Sequence, residues 1–154
     1  MDAAPLGHIS EEHFDYQFNV NAKGTFFTVQ KALPLFRDGG SIIMTGTVVA
    51  ERGGAYLSIY SASKMVLNSF AKSWAPELGA RGIRVNVIHP GLIDTPLSAQ
   101  LPPEQLAAYR KGNALGRAGL AAEIAGTALF LASDDAGYIN GQAISVDGGD
   151  LGVR

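Results

Sequence analysis

Tyr60 and Lys64 flank Ser61-Ala62-Ser63, a spacing that places a phenol and an ammonium one helical turn apart on the same face. A phenol with an ordinary pKa of about 10 is a poor proton donor or acceptor at neutral pH, but a neighbouring cation favours the phenolate. Tyr60 is therefore a candidate acid-base group for an alcohol or carbonyl oxygen. A Tyr-Lys pair also arises by chance on many surfaces, so its weight depends on what flanks it. Thr45-Gly46-Thr47 closes an apolar run before the pair, and Pro90-Gly91 closes another after it.

Other chemistries lack their residues. With no cysteine, disulfides, thiolate metal sites and a cysteine nucleophile are excluded. His8 and His13 bracket Glu11 and Glu12, but a five-residue separation puts the two imidazoles on different helix faces, so no metal site is expected. His89 is read either as a pocket-lining residue or as a filler at a strand end. No Gly-x-Ser-x-Gly elbow or phosphate loop occurs, which disfavours hydrolase and nucleoside-triphosphatase readings.

The elements that must position Tyr60 follow from periodicity. The chain has 154 residues, 47% hydrophobic and 17% charged, enough for one globular unit over residues 1–154. A net charge of -2 gives no field for nucleic acid or an anionic membrane. No apolar run approaches the ~18 residues of a membrane span, and the start lacks a signal pattern, so a soluble cytoplasmic protein is expected. After an opening loop over residues 1–9, Ser10 followed by Glu11 and Glu12 predicts a helix start, and the pattern continues over residues 11–33. Gly24 weakens its middle and Pro34 marks its end. Residues 41–48 (SIIMTGTV) read as a strand buried on both faces, followed by a loop with Gly53 and Gly54. Residues 58–78 carry Val66, Phe70, Trp74 and Leu78 along one stripe of a long amphipathic helix. Strands over 83–88 and 142–146 and helical stretches over 102–111 and 121–133 complete the pattern. Alternating strands and helices predict an α/β fold with a parallel sheet, whose ligands sit beyond the carboxyl ends of the strands.

Five blocks carry a resemblance. They are Asn19-Val-Asn21-Ala-Lys-Gly24, Ser41-Ile-Ile-Met-Thr-Gly-Thr47, Tyr60-x-x-x-Lys64, Arg84-Val-Asn-Val-Ile-His-Pro-Gly91 and Asn140-Gly-Gln-Ala-Ile-Ser-Val-Asp-Gly-Gly149. In this order and spacing the chain resembles the short-chain dehydrogenases/reductases over almost its whole length. The resemblance implies a partial Rossmann-like doubly wound sheet and hydride transfer between NAD or NADP and an alcohol or carbonyl substrate. It implies Asn21, Thr47, Tyr60 and Lys64 as the catalytic set, with Tyr60 as acid-base and Lys64 lowering its pKa while holding the nicotinamide ribose. Asn21 would hold a water linking Lys64 to solvent, and Gly24 would let the helix distort there. Pro90 and Gly91 would turn the chain over the nicotinamide, with Ile93 and Thr95 touching it. It also implies a homo-oligomer.

Two departures shape the expectation. Position 47 is threonine where the family has serine; the hydroxyl is kept but the added methyl stiffens χ1, so reduced or redirected activity is expected. The family's N-terminal blocks, with the glycine-rich dinucleotide turn and the residue that reads the ribose, have no counterpart, since no Gly-x-Gly-x-x-Gly occurs and Ala50 and Arg52 stand where a Thr45-Gly46 turn would need glycine. The expectation is an impaired or inactive isolated chain, a partner supplying the first strands, or a non-catalytic association module. The strand over 41–48 is expected to present an unpaired edge.

Overall fold

A computed structural model of the protein describes residues 3–150. Residues 1, 2 and 151–154 of the expected single unit lie outside the described residues. The opening segment holds a 3-10 turn at Leu6–His8. Ser10 then caps α1 (Glu11–Phe18), its hydroxyl accepting the His13 N–H at 3.1 Å. The helix continues through a π segment (Asn19–Gly24) into α2 (Thr25–Ala32) and a closing 3-10 turn at Pro34. The distortion expected near Gly24 is therefore a widened turn centred on Asn21.

Three parallel strands form the main sheet in the order β1 (Ser41–Thr45), β2 (Arg84–Pro90) and β5 (Ala143–Val146). Ser41 pairs with Arg84 and Thr45 with Ile88, so the two strands start together and β2 runs two residues beyond the end of β1. The second edge of β1 is unpaired among the described residues, as expected. Between the strands run α3 (Val48–Arg52), α4 (Ser58–Leu78), a two-residue strand β3 (Ile93–Asp94), α5 (Pro103–Gly112), β4 (Gly119–Leu120) and α6 (Ala121–Ala132).

Strand boundaries differ from the periodicity in two places. The strand predicted over 41–48 stops at Thr45, because Thr47 turns its hydroxyl to the Val49 N–H at 3.4 Å and caps α3 instead of extending the ladder. The strand predicted over 83–88 runs on to Pro90, paired with Val146. The β3–β4 pair was not predicted, as two-residue strands carry no periodicity. It is closed by Arg117, which grips Glu123 with two bonds of 2.9 and 2.7 Å, while Glu123 also accepts the Leu120 N–H at 2.7 Å.

Of the apolar stripe along α4 only Leu78 is fully buried against the sheet. Ser63, Leu67, Ala71, Ala75 and Leu78 are the helix's buried residues, one position along from Val66, Phe70 and Trp74. Small side chains let the helix approach the sheet, and Leu67 and Ala71 pack with Ile42, Met44, Val85 and Val87. The aromatic stripe instead lies against α2: Phe70 stacks on Trp74 at 4.7 Å and Phe26 meets Phe70 edge-on at 5.6 Å. On the opposite face, Leu131 of α6 packs with Ile88 and Ala136. Helices thus cover both faces of the sheet.

Residues Arg84 to His89 are all buried, although three of them are polar. Arg84 donates to the Leu131 and Ser133 carbonyls at 2.7 and 3.0 Å, satisfying the C-terminal end of α6. Asn86 donates to the Ile139 carbonyl at 2.9 Å and accepts the Gln142 N–H at 3.0 Å, which sets where β5 begins. Asn86→Ala strands both backbone groups, and urea unfolding is expected to show a loss of about 2–4 kcal/mol. A loss below about 0.5 kcal/mol would contradict this assignment.

Candidate active site at the carboxyl ends of the strands

Where β1 ends, β2 runs on through His89 and Pro90, and the turn after β1 packs against it. Gly46 follows β1 and donates its N–H to the Ile88 carbonyl at 2.8 Å. Its Cα lies so close to the His89 ring that a Cβ there would overlap it, so glycine is required. The next N–H, of Thr47, donates to His89 Nδ1 at 2.8 Å. That bond requires a lone pair on Nδ1, which places the ring proton on Nε2, facing Asn68 Oδ1 at 2.8 Å. Burial pushes the His89 pKa down, against the opposing influence of Glu51, whose carboxylate lies 3.7 Å from Nε2. His89 is thus a neutral, fully buried brace for Thr47 and is absent from the cleft wall, which decides between the two sequence readings.

Tyr60 arrives from the first turn of α4. Ser61 locks that turn to α3 by donating to the Val49 carbonyl at 2.9 Å, fixing Tyr60 relative to Thr47. Tyr60 is half-buried, and burial raises its pKa, while a hydrogen bond from the Thr47 hydroxyl acts in the opposite direction. The expected lowering by Lys64 is not what governs this phenol: desolvation is the larger influence, and the group stays protonated at neutral pH. Lys64 donates from Nζ to the Thr45 carbonyl at 3.0 Å, and burial lowers its own pKa. One bond leaves the ammonium further N–H donors.

The Asn21 amide nitrogen donates to Gln17 Oε1 at 3.2 Å and to Ser63 Oγ at 3.0 Å, tying the π segment to α4. The Asn21 carbonyl accepts the Thr25 hydroxyl at 2.8 Å. No direct bond joins Asn21 to Lys64 among the described residues.

Thr47, Tyr60, Gly91, Ile93 and Thr95 line one open cleft of about 440 Å³, while Asn21, Lys64 and Pro90 do not line it. Gly91 sits against Asp147 so closely that a Cβ would meet the Asp147 Cα at 2.8 Å, so the turn after β2 also needs glycine. Thr95 is held by Ser98: its N–H donates to Ser98 Oγ at 3.0 Å and its hydroxyl accepts the Ser98 N–H at 3.3 Å. The remainder of the wall is mostly apolar, with Val48, Val49, Leu57, Leu92, Leu97 and Leu101. Arg52, Tyr109 and Asp150 add a polar stretch that the sequence did not single out, since their partnership spans distant elements. An apolar cleft with a phenol and a hydroxyl at one place suits a carbonyl compound, and the donors of Lys64 and the backbone turn after Pro90 suit the polar nicotinamide end of a dinucleotide. No group of acidic or histidine side chains able to hold a metal occurs among the described residues, and no helix there is long and apolar enough to cross a membrane.

If the Thr47 hydroxyl opposes desolvation at Tyr60, its removal frees the phenol to titrate higher. In Thr47→Val, carbon-labelled tyrosine resonances are expected to show Tyr60 ionising at a higher pH than in the native chain. An unchanged or lower titration would contradict the contact.

Comparisons with known proteins agree with this architecture. The sequence model for the Enoyl-(Acyl carrier protein) reductase family matches residues 2–150. An oxidoreductase of Sarocladium schorii is 43% identical over 150 residues, covering 96% of this chain and 60% of that protein. A 3-oxoacyl-[acyl-carrier-protein] reductase of Thermotoga maritima is 40% identical over 148 residues, again covering 60% of that protein. A blue fluorescent protein from a metagenomic library, solved with NADPH, superposes with a TM-score of 0.92 at 37% identity, covering 97% of this chain and 61% of that one. The angucycline C-6 ketoreductase LanV with bound NADP gives a TM-score of 0.92 at 34% identity, covering 98% and 59%. The chain spans about 60% of the length of the relatives it matches. With the Tyr60 turn, the Thr47 turn and the parallel sheet all in place, the chain belongs to the short-chain dehydrogenase/reductase family of oxidoreductases.

Proposed function

We propose that this chain carries the substrate and nicotinamide end of an NAD- or NADP-dependent carbonyl reductase site, with Tyr60 as its acid-base group. The observation that carries the reading is the convergence of a half-buried, protonated Tyr60 and the Thr47 hydroxyl on one wall of an apolar cleft. A nicotinamide held here would supply the hydride for a carbonyl carbon, or would accept it in the reverse direction. The carbonyl oxygen accepts hydrogen bonds from Tyr60 Oη and Thr47 Oγ1. As that oxygen gains charge, Tyr60 transfers its proton and an alcohol results. A phenol kept protonated by burial is suited to the reduction direction.

His89 fixes Thr47 through its backbone, and the Val49 N–H holds its hydroxyl oxygen, so the hydroxyl is preorganised beside the cleft. Lys64 would hold ribose hydroxyls with the donors left free by its bond to Thr45. Its cationic field would also stabilise the phenolate left after proton transfer. Asn21, held to α4 through Ser63, would support a water leading from Lys64 to solvent. Pro90 and Gly91 would turn the backbone over the nicotinamide, with Ile93 and Thr95 against its carboxamide. Relatives named as reductases, and neighbours solved with NADPH or NADP, support the reading. The substrate is a small alcohol or ketone, in a soluble cytoplasmic homo-oligomer or in company with a partner that pairs the free edge of β1. That free edge also favours a second reading, a non-catalytic association module.

Tyr60→Phe removes the proton but keeps the ring. Ketone reduction, followed by loss of reduced-nicotinamide absorbance, is expected to fall at least about 100-fold while circular dichroism is unchanged. Equal turnover by the variant would overturn the role of Tyr60, and a folded native chain with no turnover would favour the association module.

A further inference from the structure

The cleft that receives the reacting carbonyl also contains a charge pair. Arg52, at the end of α3, faces Asp150 beyond β5, with Nε 3.1 Å from Oδ2. Both side chains are mostly enclosed, at 12% and 13% exposure, and both line the cleft with Thr47 and Tyr60. The contact is ionic and not an aligned hydrogen bond, because Nε has no hydrogen-bond partner. The guanidinium carbon lies 6.0 Å from the centre of the Tyr109 ring on α5, which limits its freedom. Among the described residues no hydrogen bond engages the Arg52 Nη donors or the Asp150 carboxylate. A donor and an acceptor, each held in place, therefore stand side by side in an otherwise apolar wall.

Resting on the reading of this cleft as a carbonyl reductase site, we propose that Arg52 and Asp150 form a specificity subsite for a hydroxyl group on the substrate, remote from the carbonyl that reacts. Of hydroxyl, methyl, carboxylate and ammonium groups, the hydroxyl satisfies both partners, its oxygen accepting from Arg52 Nη while it donates its proton to a hydrogen bond with the Asp150 carboxylate. A methyl group leaves both unpaired in an enclosed wall. A carboxylate meets Asp150, with Asp147 also on the cleft wall, and an ammonium meets Arg52. Among the described residues the ionisable groups of the wall, apart from the tyrosines, are Arg52, Asp147 and Asp150, so a ligand of either charge meets a like charge there. The substrate class is thus a ketone with an apolar body and a distal alcohol or phenol.

The test uses methyl ketones with one alkyl body, in a series of lengths, ending in hydroxyl, carboxylate, ammonium or methyl. Equilibrium binding to the native chain is measured by ligand-observed magnetic resonance, independently of turnover. At the best length the hydroxyl ketone is expected to bind about tenfold more tightly than the methyl ketone, with both charged ketones weaker. Asp150→Asn is expected to move the preference to the carboxylate ketone, and Arg52→Met to the ammonium ketone. These opposite shifts report on the subsite even if one variant folds poorly. The same ranking in native and variant chains, a methyl ketone bound as well as the hydroxyl ketone, or no binding by any of them would overturn the subsite. Ranked binding without turnover of any ketone would leave the subsite standing and remove the reductase reading. Turnover without ranking would do the reverse.

Discussion

The middle strand of the sheet, β2, is buried from Arg84 to His89 yet contains a guanidinium, an amide and an imidazole. Burying three such groups unpaired would cost several kcal/mol, so each must have a dedicated partner. Those partners organise the molecule. Arg84 gathers the end of α6, Asn86 sets the start of β5, and His89 takes hold of Thr47 in the turn after β1. One strand thereby fixes the helix on one face, the neighbour on one edge and the hydroxyl beside Tyr60. The glycine at position 46 belongs to the same constraint, because the His89 ring occupies the space a side chain there would need.

From that constraint the chemistry follows by placement. Thr47 is braced from below by an imidazole that is neutral because its Nδ1 accepts a backbone N–H. Tyr60 is braced from the side through Ser61 and the Val49 carbonyl. Both groups then face an apolar cleft, and burial raises the pKa of the phenol further above neutrality. Lys64 stays behind the wall, bound to the end of β1.

Much of the scaffold was legible in the sequence. Helix α4 runs from Ser58 to Leu78 as its long amphipathic pattern indicated, and the parallel sheet with helices on both faces followed from alternation. Gly24 correctly marked a disturbed helix around Asn21. The end of β1 was not legible, since Thr47 has a high strand propensity and only its capping bond shows that it turns the chain. The apolar stripe of α4 was legible but its sheet-facing side was not, because periodicity weights large apolar groups whereas close packing selected Ser63, Ala71 and Ala75. The motifs located Thr47, Tyr60, Gly91, Ile93 and Thr95 in one cleft, but spacing alone carried no sign of Arg52 meeting Asp150 from two distant elements.

The central claim is that this chain holds the nicotinamide end of a dinucleotide while containing no glycine-rich turn for its pyrophosphate. Calorimetric titration with reduced nicotinamide mononucleotide, NADH, NADPH and ADP-ribose separates the two ends of the cofactor. The account predicts saturable binding of the mononucleotide with an affinity comparable to that of either dinucleotide, and no binding of ADP-ribose. Binding of ADP-ribose without the mononucleotide, or a folded chain that binds none of the four, would contradict it.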